Sequence, residues 1–196
     1  MMRTFVISLV FFLAGVAQAA SVPGAAVTAF HDVLIANMKN GEKLGCSGRI
    51  QTLAPAVDAD FDLPYLAQRV LRRQWKDLTE DQRKQFIDTF RELVVGTYAS
   101  QFARYGGESF TTLDTQDLAD GTRLVHAKLS LPRGEPVSFD YVLHDSGGWQ
   151  IVNVVADGVS DLALRSTQYD RAFKAGGFDG LMKLLQTQIK GNKNDC

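Results

Sequence analysis

Between Thr79 and Tyr105 apolar residues return every three or four positions: Phe86, Phe90, Leu93, Val94, Tyr98, Phe102 and Tyr105. That spacing places them on one face of a helix. Thr79 with Gln82 has the form of a capping box, and Glu80 and Asp81 put negative charge at the positive end of the helix dipole. Gly106-Gly107 is the expected stop. A stripe this bulky lies against something large and apolar. It is either an ordinary core facing a sheet or a cavity for a ligand, lined by the same rings.

Before this helix the pattern predicts two others. Val27, Phe30, Leu34 and Met38 step along a first helix, which Asn40-Gly41 closes. The Gly-containing segment from Gly41 to Asp60 reads as a loop with a short helical stretch over Gln51–Ala54. Asp62 then caps a helix with Pro64 in its first turn, carrying Leu66, Val70, Leu71 and Trp75. After Tyr105 the period changes to 2. Runs at Glu108–Leu113, Arg123–Leu131, Val137–His144 and Trp149–Val155 predict four antiparallel strands in a meander, since each connection is too short for a crossover. Leu124, Val142, Val152 and Val154 break strict alternation, so the inner strands are expected to be partly apolar on both faces. The long helix would cover one side and the last two helices part of the other. Those two are capped by Ser160-Asp161 and by Asp179, with Gly176-Gly177 between them. The fold class is α+β, with helices on a twisted four-stranded antiparallel sheet, and residues 191–196 read as a polar, mobile tail.

The N-terminus changes the picture. A short basic start, an apolar run from Phe5 to Val16 and the small-x-small Ala17-Gln18-Ala19 have the layout of a secretory signal peptide over residues 1–19. The run is too short for a bilayer core, which takes about 20 residues. Cleavage is expected after Ala19 or Ala20, releasing a single domain over 20–190 into a bacterial periplasm. Export raises the question of Cys46 and Cys196. No spacing supports a bridge between them, and free thiols, or an incidental terminal Cys, are the expectation.

Composition adds exclusions. With 45% hydrophobic residues in 196 the chain can bury a sizeable core, and a formal charge of −1 leaves no footprint for nucleic acid. Arg69, Arg72 and Arg73 form the densest basic set and read as a solvated face. No nucleophile elbow, zinc motif, dinucleotide fingerprint or phosphate loop is present. His31, His126 and His144 have no spacing for a shared metal. Asp157 before Gly158 reads as turn chemistry. No catalytic residue and no cofactor are assigned.

Several separated segments together carry a family resemblance. They are Phe61-Asp62, Trp75 before Leu-Thr-x-x-Gln, Tyr105-Gly106-Gly107-Glu108, Trp149 in the last strand, and Asp157-Gly158-Val159-Ser160. Nearly the whole mature chain resembles the MlaC family of periplasmic lipid-shuttle proteins, also called toluene-tolerance auxiliary proteins. GEKLGCSGRIQTLAPAV is more similar to its hopanoid-associated HpnM branch. Where the family often has a Gly before Trp75, this chain has Arg72-Arg73-Gln74. The resemblance implies an NTF2-like fold holding a phospholipid or hopanoid, and a monomer shuttling between an inner-membrane ABC transporter complex and an outer-membrane lipoprotein/porin complex. Pocket candidates are the seven stripe residues with Phe61, Leu66, Val70, Trp75, Val125, Leu129, Phe139, Tyr141, Val152, Val154 and Val159. Two other classes stay open: a filled interaction module without lipid, and an enzyme of the same fold using Tyr98, Tyr141 and Asp157.

Overall fold

A computed structural model describes residues 22–196; the expected signal peptide lies outside the described residues. The chain runs α1 (Pro23–Lys39), α2 (Gly41–Asp60), α3 (Leu63–Leu71), α4 (Gln74–Asp77), α5 (Glu80–Gln101), β1 (Ser109–Asp117), β2 (Arg123–Ser130), β3 (Val137–Asp145), β4 (Trp149–Ala156), β5 (Val159–Ser160) and α6 (Asp161–Asp195). The strands form one antiparallel meander in chain order. It has five strands where four are expected, the addition being the two-residue β5 that leads into α6. Among the described residues no helix is long and apolar enough to cross a membrane.

The broken alternation in β4 has a simple cause. Val142 pairs with Asn153, but Leu143 pairs with Ile151, which leaves Val152 as the extra residue of a bulge. The bulge resets the phase, so Ile151 and Val154 both face inward. On the other face Leu124, His126, Asp140 and Val142 are only partly buried and Lys128 is exposed. The helices therefore sit mainly on one side of the sheet. Its back is covered at one end only, where Val152 is buried and His144 meets Asp62 and Tyr65 at the start of α3; the last helices do not half-cover it. That back carries a cross-strand pair between His126 Nδ1 and Asp140 Oδ1 at 2.5 Å.

Four helical expectations need correction. Gly41–Asp60 is helical throughout apart from a break at Gly45 (φ 59°), and not a loop with one short turn. Its apolar points Leu53 and Val57 are fully buried against neighbouring helices, and that packing outweighs the weak propensity of a Gly-rich stretch. The helix over Leu66–Trp75 is two helices. Arg72, at φ 52° and ψ −119°, ends α3, and Trp75 belongs to the short α4. The long helix stops at Gln101, ahead of the two glycines. The chain there turns onto the α1–α2 corner, where the Ala103 carbonyl occupies the space a Cβ on Gly41 would need. The tail is also different: α6, interrupted at Gly176-Gly177, continues to Asp195.

Its end is covalently tied, since Cys196 forms a disulfide with Cys46 across a Cα–Cα distance of 5.2 Å; the two are not free thiols. Spacing could not show this, because 150 residues separate the partners. Beside the bridge Arg49 is buried, its guanidinium donating to the carbonyls of Ala99 (3.0 Å), Gly41 (2.8 Å) and Cys196 (2.6 Å).

The capping box at Thr79 and Gln82 is formed, and Asp62 caps α3 by accepting from the Tyr65 N–H at 2.9 Å. On the inner face of the sheet His31 is 2% exposed, stacked on Phe110, with Nε2 3.0 Å from the Tyr141 hydroxyl and Nδ1 unpartnered. Burial pulls its pKa down to about 4, while burial pushes half-buried Asp60 up to about 6.

These two groups oppose each other in acid. Between about pH 4 and 6.5 unfolded chain takes up the His31 proton that the fold refuses, so stability falls as pH falls. The fold binds the Asp60 proton more readily than the unfolded chain, so Asp60 adds stability as pH falls toward 4. From pH 7 to 5 the His31 loss is about 2 kcal/mol, and the Asp60 gain, discounted for solvent screening, about 0.5–1 kcal/mol. Asp60→Asn should therefore steepen the acid loss seen by urea unfolding at the two pH values. Equal losses in wild type and variant would contradict the assignment.

Candidate functional site

An apolar cavity of about 300 Å³ lies between α3, α5, the start of α6 and the β3–β5 side of the sheet. Phe90, Val94 and Tyr98 of α5 and its C-cap residue Phe102 form one wall, and Thr97 and Gln101 continue the same face with polar tips. Leu66 and Val70 come from α3. The opposite wall is Phe139, Ile151, Val154 and Ala156, brought to one side by the bulge. Phe61 is fixed by a parallel bridge to Ile151. Its ring stands 5.7 Å from that of Tyr98, and Tyr98 stacks on Phe102 at 6.0 Å.

The mouth is a mixture of apolar and charged groups. Val159 is 59% exposed and Leu164 is 51% exposed, although both also line the cavity. Between them Arg165 Nε donates to Asp161 Oδ2 at 2.6 Å, and its guanidinium lies 5.9 Å from the Phe90 ring. Burial alone would lower the Arg165 pKa, but Asp161 and Tyr169 outweigh it, so the side chain stays charged. Burial, helped by Asp161, holds the Tyr98 hydroxyl well above the usual phenol range. It is neutral at any ordinary pH.

Ten of the eighteen candidates meet here: Phe61, Leu66, Val70, Phe90, Val94, Tyr98, Phe102, Phe139, Val154 and Val159. The other eight do not. Phe86 and Leu93 are filled core on α5, Phe86 packing against Phe90 and Tyr169. Val125, Leu129 and Tyr141 are buried in the core outside the cavity, Tyr141 bonded to His31 on α1. Val152 is the bulge residue. Trp75, moved into α4, lies beneath the Arg83 guanidinium at 5.4 Å. Tyr105, beyond the helix end, is 42% exposed with Lys39 Nζ 5.1 Å from its ring.

Sequence reasoning missed the polar fringe, Thr97, Gln101, Asn153, Asp161 and Arg165, along with Leu162 and Leu164. An available signal was the Asp161–Arg165 spacing of four on one helical face. The constellation for catalysis does not assemble. Asp157, at φ 46°, spends its carboxylate on the Ser138 N–H (2.8 Å) and hydroxyl (3.1 Å), away from the cavity, and Tyr141 is committed to His31. The carboxylate that does line the cavity, Asp161, is at the rim and ion-paired. Among the described residues no group of His, Cys, Asp and Glu could hold a metal ion.

Helices on one face of an antiparallel meander, enclosing an apolar cavity with an open mouth, define an α+β binding-cavity fold. The family model described as MlaC protein matches residues 28–187, and the chain belongs to that family. It is similar to the intermembrane phospholipid transport system binding protein MlaC of Haemophilus influenzae, 23% identical over 131 residues. That match covers 64% of this chain and 61% of that protein, so the chain spans about three-fifths of its curated relative's length. It shares its fold with a phospholipid-binding protein from Ralstonia solanacearum solved in complex with a phospholipid. The TM-score is 0.74 at 24% identity, over 88% of this chain and 99% of that one.

Proposed function

We propose that this protein is a non-enzymatic periplasmic lipid carrier. It binds the acyl chains of a phospholipid or hopanoid-like lipid and ferries them between inner- and outer-membrane complexes. The observation that carries the reading is the apolar cavity reaching the surface between Val159 and Leu164. A lipid cannot cross water unaided, since each exposed methylene costs about 0.8 kcal/mol. A carrier needs apolar walls, a way in and no reacting groups. Membership of the MlaC family and the phospholipid named for both similar proteins support the same reading. We also assign the sheet and its one-sided helices to the NTF2-like type.

At about 300 Å³ the cavity is at the low end of the ~300–1,000 Å³ range for ligand sites. A two-chain lipid must therefore part the rings of Phe61, Tyr98 and Phe102, whose contacts at 5.7 and 6.0 Å are apolar and readily rearranged. Release is helped by the same closure. Organic extraction of protein purified from the periplasm, followed by mass spectrometry, should return diacyl lipid or hopanoid at near-stoichiometric yield. A lipid-free protein that also takes up none from vesicles would favour the filled interaction module.

A further inference from the structure

Beside the apolar cavity lies a second cleft, of about 520 Å³, between α3 and the first turns of α6. Leu162 is a wall of both, so the two spaces are neighbours across one side chain. The α3 side of this cleft carries two arginines, Arg69 and Arg72, and no acid lines it. Among the described residues neither arginine has a carboxylate within ion-pair distance. Asp161, at the rim of the adjoining cavity, is already engaged by Arg165 at 2.6 Å. Arg69 lies along the Tyr65 ring at 5.9 Å, and Arg72 reaches the cleft from a left-handed backbone position, φ 52°. Two guanidinium groups that line one cleft without a counter-charge repel each other. An anion between them removes that repulsion, and a phosphodiester offers two oxygens to their forked donors.

We infer that Arg69 and Arg72 receive the phosphate of a lipid headgroup in this cleft while the acyl chains enter the adjoining cavity. The inference rests on the carrier reading and adds a selectivity to it. A net-anionic phosphodiester headgroup is favoured over one whose own ammonium offsets the phosphate, and both over a lipid with no phosphate. A hopanoid with an uncharged head would gain nothing here.

The test incubates delipidated protein with vesicles containing equimolar dioleoyl phosphatidylglycerol, dioleoyl phosphatidylethanolamine and dioleoylglycerol. Bound lipids are then counted by native mass spectrometry. Wild type should hold phosphatidylglycerol over dioleoylglycerol by about tenfold, shrinking as salt is raised. The double variant Arg69→Gln/Arg72→Gly should still take up lipid, but with that ratio near one. Folding is not at risk, because both side chains are exposed and glycine accepts the backbone angle at 72. Equal uptake of all three lipids by wild type, or a preference that survives in the variant, overturns the headgroup site but leaves the carrier. Uptake of none overturns both. Inorganic phosphate at the lipid concentration should not alter the ratio; if it abolishes the preference, the cleft is a free-anion site and the headgroup assignment fails.

Discussion

Val154→Asp should give a folded, cooperatively melting protein that carries no lipid. Val154 lies opposite Tyr141 in the β3–β4 register, but unlike Tyr141 it is only partly buried and lines the cavity. A carboxylate there keeps access to water whenever the cavity is free of lipid, so the expected cost is about 1–2 kcal/mol, within the ~5–15 kcal/mol of a typical domain. Acyl chains cannot lie against a charge, so binding should be lost. Val125→Asp is the contrast. Val125 is fully buried and outside the cavity, and an unpaired carboxylate at that site should cost several kcal/mol and unfold much of the protein. Circular dichroism melts with lipid mass spectrometry separate the cases. Lipid retained by Val154→Asp would remove Val154 from the wall, and unfolding of both variants would mean that the region is packed core.

The same contrast explains what could be read from residues alone. Period 3.6 from Phe86 to Phe102 and period 2 from Glu108 to Val155 are strong enough to place the long helix and four of the strands. Local chemistry fixed the capping box at Thr79 and the cap at Asp62. Periodicity, however, says which face is buried and not what it is buried against. Phe86 and Phe90 belong to one stripe, yet Phe86 meets Tyr169 and only Phe90 reaches the cavity. Val152 and Val154 look alike in a sequence, and a one-residue bulge separates their roles. Helix α2 was missed because its stability comes from tertiary burial of Leu53 and Val57. The charged fringe at Asp161 and Arg165 is not legible because an i, i+4 ion pair reads equally well as an ordinary solvated helix face.

Cys46→Ser should lower stability more than any surface change in the molecule while leaving lipid binding intact. The bridge to Cys196 closes a loop of 150 residues, and chain-entropy scaling gives about 5 kcal/mol for a loop of that length. The loss has a second component. Arg49 donates to the backbone carbonyls of Ala99, Gly41 and Cys196, and without the bridge the last of these acceptors is no longer held in place. A buried guanidinium short of a partner costs further stability. The end of α6 has other attachments, Asn192 to Thr97 at 3.0 Å and Lys193 to Glu92 at 2.9 Å, but these are a half-buried hydrogen bond and an exposed ion pair, and neither replaces the covalent tie. Neither cysteine nor Arg49 lines the cavity, so its walls keep their shape. Urea unfolding of wild type with and without reductant, beside Cys46→Ser, should show the reduced and mutant proteins unfolding together at a lower midpoint, with lipid content by mass spectrometry unchanged below the transition. An unchanged midpoint would mean that the bridge constrains little, and lipid lost before unfolding would mean that the end of α6 helps to hold the cavity shut.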